Sequence, residues 1–298
     1  NGVINMTTKS PWLFPGLSVS AKAGERDLLE GAVRWAEVFK DKDGKDRFAY
    51  KLNLFAMRAE DWYAEDYRAT SNSPTAVGNP GRYDAVNIYG DENTTTNNNF
   101  LRSFLERRDY PGLGQFLRRG YREDELVDYG TNNLKAGVSL HYKLTDSIEV
   151  IGASNYSRGS TVYQGENRYR LQDVQFFQQR LELRKPGTWF VRGYLTSEDA
   201  GNTYDIFTTG VRLAEASGPT QEWNIRYANL WNTWWRLPII NSPGYIQPTS
   251  ANLTQLGWTV ADWTAWQDNW LEQNQEWLSQ IHQAVVDSVD LLDNAFLD

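Results

Sequence analysis

The sequence predicts an all-β fold, an antiparallel transmembrane β-barrel with long, partly helical extracellular loops, and three observations favour it. Several stretches alternate apolar and polar residues with a period of two, which is typical of strands with one apolar and one polar face. Only 40% of the residues are hydrophobic, although 14% are aromatic. The predicted connections also alternate in length. Outer-membrane barrels have short turns at one end and long loops at the other, a pattern that a soluble sandwich does not need.

The clearest strand covers residues 134–144. In a barrel, its apolar side chains would face lipid and its polar side chains would face the lumen. The predicted lipid-facing set is Leu134, Val138, Leu140 and Tyr142, and the predicted lumen-facing set is Lys135, Ser139, His141 and Lys143. A short polar turn over 145–147 then leads into the next strand, as in a hairpin.

The other strands follow from the same alternation. Strands are predicted at 17–23, 28–39, 48–56, 134–144, 148–156, 169–183 and 189–195. Of the connections, 40–47, 145–147 and 184–188 are short, 157–167 is of medium length, and 61–132 and the segment after 198 are long. Because successive connections of an antiparallel meander lie at opposite ends, the long ones fall at one end. We therefore divide the barrel region, 11–197, from a long Trp-rich loop, 198–298, and treat 61–132 as an extracellular loop.

The last hundred residues have a helical rather than a β period. Nine of the 13 Trp lie after residue 220, and they recur at helical spacing in two stretches, 223–234 and 263–292, separated by prolines. Thr259 and Asp262 resemble a capping box that begins the second helix. The aromatic stripes are expected to pack on each other or on a barrel rim, to form a ligand platform, or to dock on a partner.

Few residues suggest chemistry. The chain has no Cys, its two His are far apart in sequence, and its net charge of −8 argues against nucleic acid as a partner. The Asp41, Asp43 and Asp46 cluster fits a hairpin turn better than a calcium loop. We therefore predict no enzyme, no cofactor and no metal site. A group of arginines interleaved with acids fits a salt-bridged surface loop or contact with lipopolysaccharide: Arg102, Arg107, Arg108, Arg118, Arg119 and Arg122.

Several segments, in their order and spacing, resemble TonB-dependent outer-membrane receptors of the Bacteroidota type. The opening residues 1–9 resemble the point at which the chain leaves the plug domain and enters the barrel. The other similar segments are 48–53 with Asp61 and Trp62, 128–129 with 133–136, 155–169, and 190–204. The resemblance covers about residues 1–215.

The resemblance implies a barrel of roughly 22 strands closed by a plug. Residues 1–10 would be the end of the plug, and about seven strands of the barrel would follow. Since seven strands leave two open edges, we expect the 298 residues to be part of a longer receptor. Its partners would be the TonB complex, reached through an N-terminal part that this chain lacks, outer-membrane lipid, lipopolysaccharide and a surface lipoprotein.

The predicted function is uptake of a bulky nutrient or siderophore-like ligand at the cell outer membrane. The candidate ligand-binding residues, chosen on the outer loops, are Trp62, Tyr63, Tyr67, Arg82, Tyr163, Trp231, Trp234 and Trp235. Two alternatives stay open at this point. One is a structural or partner-binding barrel subunit of an envelope assembly, and the other is a secreted β-sandwich that binds carbohydrate.

Overall fold

The computed structural model describes residues 8–91, 103–165 and 167–294. The chain divides into two compact units. The sheet unit comprises Asn1–Tyr63 and Asp128–Asp205, and the helical unit comprises Ala64–Val127 and Ile206–Asp298. Each unit is thus built from two separate stretches of the sequence.

The sheet unit is built on one antiparallel sheet of eight strands. Its seven long strands are arranged in chain order, and each pairs with the next. A short final strand pairs with the first residues of the sixth long strand. The strands of the chain are β1 Gly16–Ala23, β2 Leu29–Lys40, β3 Asp46–Glu60, β4 Ile88–Tyr89, β5 Tyr121–Arg122, β6 Gly130–Lys143, β7 Glu149–Gln164, β8 Arg168–Lys185, β9 Trp189–Asp199 and β10 Tyr204–Asp205. Strands β4 and β5 form a separate pair in the helical unit.

The mostly β chain and its antiparallel sheet are confirmed, with 39% of residues in strands and 29% in helices. All seven predicted strands are present. The sheet is not closed into a barrel, because within the described ranges β1 pairs only with β2 and β9 pairs only with β8. Two strand edges are therefore open.

The predicted medium-length loop 157–167 is wrong. Strand β7 continues to Gln164 and β8 begins at Arg168, so the connection is a tight turn. A register shift between Gly159 and Thr161 explains the error, because a bulge interrupts the alternation on which the prediction relied. The long connections at 61–129 and after 199 remain, and both leave the same end of the sheet.

The helical unit contains eight helices within the described residues. They are α1 Phe104–Asp109, α2 Glu123–Leu126, α3 Ile206–Ala216, α4 Thr220–Trp234, α5 Arg236–Ile240, α6 Ser250–Leu256, α7 Val260–Gln273 and α8 Gln275–Asn294. The Thr259 capping box is present at the start of α7. The predicted second tail helix is two helices, because Asn274 ends α7 by donating from its side-chain amide to the Trp270 carbonyl, at 2.8 Å. None of the helices in the described ranges is long and apolar enough to span a bilayer.

The two stretches of the helical unit share one core. Phe116 stacks on Tyr227 with ring centroids 4.3 Å apart, and the Trp231 indole donates to the Pro111 carbonyl at 2.9 Å. Trp223, Trp231 and Trp263 are fully buried. The sequence analysis treated the two stretches as separate loops, but each supplies apolar side chains that complete the core of the other.

A histidine lies in the middle of this core. The His282 Nδ1 atom is hydrogen-bonded to the Tyr227 hydroxyl, and the Trp231 ring lies 4.6 Å from the imidazole centroid. Burial, with a further contribution from the nearby Arg82 charge, lowers the pKa of His282 to about 3. The folded chain therefore keeps this imidazole neutral at pH values where an exposed histidine is charged.

We expect the free energy of unfolding to fall as the pH drops from 6.5 towards 3. The unfolded chain binds a proton on His282 near pH 6.5, whereas the folded chain binds it only near pH 3. At pH 5 the loss relative to pH 8 should be about 2 kcal/mol. Urea unfolding followed by Trp fluorescence measures it, because nine of the 13 Trp lie in the helical unit.

The control is His282→Gln, which keeps a hydrogen-bonding side chain and removes the titration. Its stability should be lower at pH 8 but should change much less between pH 8 and pH 5. Equal stability of the unchanged chain at both pH values would contradict the expectation.

Candidate functional site

The sheet has an exposed apolar face. Its side chains continue across neighbouring strands, since Leu17 pairs with Trp35, Trp35 with Leu52 and Leu52 with Val138. All four are exposed. Other large exposed apolar residues on this face are Val19, Leu29, Val33, Phe39, Leu54, Leu134, Leu140, Tyr142, Leu181, Val191 and Leu195. Monomeric soluble proteins rarely expose an apolar surface that continues over so many strands.

The opposite face is polar and partly buried. In β6, Leu140 is 50% exposed while its neighbour His141 is only 5% exposed. Lys51, Glu149 and Glu182 are also buried on this side. The sheet is thus inverted relative to that of a soluble protein, which buries its apolar face and exposes its polar one.

The two faces of β6 separate the residues that the sequence analysis assigned to them. Leu134, Val138, Leu140 and Tyr142 lie on the exposed apolar face. Lys135, Ser139, His141 and Lys143 lie on the other face, where Ser139 and His141 are buried, Lys143 is half-buried and Lys135 is exposed.

A network of charged side chains occupies one end of the polar face. The Glu149 carboxylate accepts hydrogen bonds from His141 Nδ1 at 2.8 Å, from the Trp12 indole at 2.6 Å and from Arg184 at 2.7 Å. Next to it, Glu182 accepts a hydrogen bond from Arg192 Nε at 2.7 Å. Buried carboxylates are tolerated when basic groups and hydrogen-bond donors surround them in this way.

The N-terminal stretch Thr8–Phe14 runs across the polar face. The Lys51 ammonium donates to the Thr8 hydroxyl at 3.2 Å and to the Lys9 carbonyl at 3.1 Å. The Arg34 guanidinium donates to the Phe14 carbonyl at 2.6 Å. Of the predicted plug end, 1–10, residues 1–7 lie outside the described residues, and the other three lie on this face.

The sheet curves around its polar face. A cavity of about 800 Å³ is lined both by Ser18 of β1 and by Thr196 of β9, although five strands of the sheet lie between these two strands. Its walls also carry Arg34, Asn53, Phe55, Lys135, Asn155, Phe176, Gln178 and Glu198. A second cavity of about 960 Å³ lies beside the N-terminal stretch. The polar face is therefore a trough large enough for a ligand or a protein segment.

The chain leaves the sheet at a polar junction centred on Asp61. Its carboxylate accepts hydrogen bonds from the hydroxyls of Thr131 and Thr161 and from the Val162 amide. Burial alone would raise the pKa of Asp61, but these hydrogen bonds and the Arg170 charge outweigh burial and lower it. The junction therefore holds a stable carboxylate where β3, β6 and β7 meet.

The candidate ligand residues are spread over both units. Trp62 and Tyr63 are exposed in the sheet unit and pack against the Arg26 guanidinium, 4.7 and 5.2 Å from its central carbon. Tyr163 and Trp234 are exposed, while Tyr67, Arg82 and Trp235 are half-buried. Trp231 is 0% exposed and belongs to the helical core. The burial of Trp231 leaves no ring face for a ligand.

Three arginines of the predicted basic patch are paired with acids within the helical unit, and Arg119 is exposed. Arg107 pairs with Asp268, Arg108 with Asp109, and Arg122 with Asp124. Arg118 is buried and donates to the Ser217 hydroxyl and the Gly218 carbonyl. Arg102 lies outside the described residues.

The acidic cluster at 41–46 is a turn. The Asp41 carboxylate accepts the backbone amides of Asp43 and Lys45 at 2.9 Å and pairs with Arg47. Across the described ranges, no group of three or more His, Cys, Asp or Glu is arranged to hold a metal ion.

The charge network of the polar face was not predicted from the sequence. Arg180, Glu182 and Arg184 alternate with Leu181 and Leu183, so the signal was present in the sequence. A strand that alternates charged residues with leucines predicts one apolar and one charged face. The Asp61 junction carried no such signal, because its partners come from distant strands.

Comparison with known proteins found no matching family model, no matching curated protein and no matching solved structure. The two faces of the sheet and its cavities are therefore the features that bear on function.

We expect Asp61→Ala to loosen the junction by about 2–3 kcal/mol, because it leaves two hydroxyls and one amide without their acceptor. Amide hydrogen exchange of the segment that contains Val162 measures the local opening, and exchange should accelerate more than tenfold. Asp146→Ala removes an exposed carboxylate paired with Lys45 and should cost at most about 0.5 kcal/mol. Unchanged exchange at Val162 in Asp61→Ala would contradict the role of the junction.

Proposed function

We propose that this chain is part of an outer-membrane β-barrel receptor of the TonB-dependent type, which takes up a bulky ligand at the cell surface. The single observation that carries the proposal is the inverted sheet, apolar on its exposed face and polar on its buried face. Lipid is the solvent in which such a face is stable, since exposing a broad apolar surface to water is unfavourable.

The open edges of the sheet support a larger barrel. An unpaired strand edge leaves a row of backbone donors and acceptors without partners, which hydrocarbon does not tolerate. Strands β1 and β9 would each need a further neighbouring strand in the membrane. The curvature of the sheet around its polar trough is consistent with the wall of a larger barrel.

The receptor part of the proposal rests on the N-terminal stretch and on the helical unit. A segment that resembles the end of a plug enters the polar face, where Lys51 binds the backbone of Lys9, and Arg34 binds the backbone of Phe14 just after it. Both connections to the helical unit leave the same end of the sheet, as extracellular loops do. The TonB complex, lipopolysaccharide and a surface lipoprotein are then the proposed partners.

The two alternative functions, an envelope-assembly subunit and a carbohydrate-binding sandwich, differ in how well they agree with the sheet. A barrel subunit of an envelope assembly shares the inverted sheet and differs only in what the helical unit binds. A carbohydrate-binding sandwich needs a second sheet packed on the apolar face. The described residues form one large sheet and one two-stranded pair, which gives the sandwich no second sheet of comparable size.

We expect Leu54→Lys to reduce the amount of chain in the outer-membrane fraction severalfold, and Asn53→Lys to leave it unchanged. Leu54 lies on the exposed apolar face, and Asn53 is the next residue on the polar face. A lysine facing lipid near the bilayer centre costs about 2–4 kcal/mol. Fractionation of the host cells, followed by detergent extraction and immunoblotting, measures the outcome.

The same pair of variants distinguishes lipid from water. On a water-exposed surface, both substitutions should change stability by less than about 0.5 kcal/mol. If Leu54→Lys reaches the outer membrane as well as Asn53→Lys, or if the unchanged chain is found outside it, the proposal is wrong.

A further inference from the structure

The polar trough carries an excess of positive charge beside the N-terminal stretch. The cavity of about 960 Å³ at this place is lined by twice as many basic side chains as acidic ones. The basic residues are Lys9, Lys51, Lys143, Arg180, Arg184 and Arg192, and the acidic ones are Asp146, Glu149 and Glu182. This excess contrasts with the net charge of −8 of the whole chain.

The acids of the cavity do not neutralise Arg180. Glu182 is shared among three arginines, with Arg192 at 2.7 Å, Arg180 at 3.7 Å and Arg184 at 3.8 Å. Arg184 also meets Glu149, at 2.7 Å. A separation of 3.7 Å is too long for a hydrogen bond. The Arg180 side chain is 33% exposed, so its guanidinium can accept a partner from the cavity.

Lys51 is the buried cation of the same wall. It is only 8% exposed, and its ammonium donates to two uncharged oxygens, the Thr8 hydroxyl and the Lys9 carbonyl. The neighbouring charges that act on Lys51 are those of Arg34 and Arg180, and both repel it. A buried cation among other cations is costly unless an anion is supplied. The wall therefore lacks a negative charge.

The pairing of the strands places Lys51 and Arg180 in one row across the sheet. Lys51 pairs with Ser139, Ser139 with Ala153 and Ala153 with Arg180. Because adjacent strands lie about 4.8 Å apart, the two cationic residues are roughly 14 Å apart along the sheet, with only two small side chains between them. We call this row, with a cation at each end and a low floor, the basic depression.

A row of amide side chains lies beside the basic depression. Asn53, Gly137, Asn155 and Gln178 pair in this order on adjacent strands. The three amide side chains are exposed and line both cavities of the trough. Amide groups donate hydrogen bonds to an oxyanion without adding a repulsive charge.

We propose that the basic depression binds a small polyanion, a molecule with at least two carboxylate or phosphate groups. One anionic group meets the Lys51 ammonium. The other meets the Arg180 guanidinium, whose planar fork suits carboxylate and phosphate oxygens. The amides of Asn53, Asn155 and Gln178 donate to the remaining oxygens. A molecule with a single negative charge meets only one of the two cations.

The other acids of the trough leave this position open to an anion. Asp146 pairs with Lys45 at 2.8 Å. Glu198 lines only the cavity of about 800 Å³ and not the one that contains the basic depression. Repulsion by these carboxylates therefore does not act at the centre of the site.

The size of the cavity agrees with this class of ligand. Small-molecule sites usually measure about 300–1,000 Å³, and this cavity measures about 960 Å³. The inference rests on the proposed function in that it names a ligand class for the receptor. Binding itself can be measured without transport.

Titration calorimetry on the full 298-residue chain in detergent tests the proposal with four probes. They are tricarballylate, pyrophosphate, acetate and the neutral triamide of tricarballylic acid. We expect tricarballylate or pyrophosphate to bind, and the tighter of the two identifies carboxylate or phosphate as the recognised group. Acetate and the triamide should each bind at least about tenfold more weakly, because neither can place a negative charge at both cations.

Two substitutions link the binding to the basic depression. Arg180→Gln should weaken binding of the tighter polyanion by about tenfold or more, because it removes one of the two cations. Glu182 keeps its closer partner, Arg192, in this variant. Gln178→Glu places a repulsive carboxylate at an exposed position and should weaken binding severalfold.

Arg158→Gln is the matched control. It removes the same charge from the chain, but Arg158 lines neither cavity of the trough and pairs with Asp173 at 2.9 Å. The affinity for the polyanion should not change.

Four results would overturn the proposal. They are no binding of either polyanion, equal binding of tricarballylate and its triamide, unchanged affinity in Arg180→Gln or in Gln178→Glu, and equal weakening in Arg158→Gln. Failure of this kind is distinguishable from failure of the proposed function. A chain that sits in the outer membrane and binds no polyanion refutes only the ligand class, and a chain that binds the polyanion but is absent from the outer membrane refutes only the receptor.

Discussion

The inversion of the sheet is the constraint on which the rest of the structure depends. A sheet with its apolar side chains outward has no hydrophobic core of its own, so its polar face must be satisfied by ion pairs and hydrogen bonds. Glu149 and Glu182 meet arginines there, and Thr8–Phe14 supplies further partners. The same inversion explains how a chain with 40% hydrophobic residues forms strands of up to 18 residues.

The two units bury opposite kinds of side chain. The helical unit buries its aromatic residues in a conventional core, where Trp223, Tyr227 and Trp263 are shielded from water. The sheet unit buries charge and leaves leucine and valine exposed. A single hydropathy average therefore describes neither unit, and the aromatic content of the sequence has two meanings: core packing in one unit and exposed apolar surface in the other.

Local sequence patterns predicted the strands, but they did not predict contacts between residues that are distant in sequence. The alternation in β6 located the strand and separated Leu140 from His141, because side-chain direction along a strand depends only on neighbouring positions. The bulge beside Ser160 broke that rule and hid the true length of β7. Asp61 and Arg170 were not found, because their partners lie on other strands and sequence spacing does not report register. The joint core of Phe116 and Tyr227 was missed for the same reason.

The composite helical unit has a consequence for the order of events during synthesis. Phe116 can pack on Tyr227 only after Tyr227 has been synthesised. The four long strands β6–β9 are made between the two stretches that meet in the core. Contacts over such a separation carry a large entropic cost of loop closure and form slowly. Until the last helix is made, the first stretch exposes apolar side chains to chaperones and proteases. The core of the helical unit is thus completed late in synthesis. A chain truncated within its final helices would not form this core, even with every strand of the sheet in place.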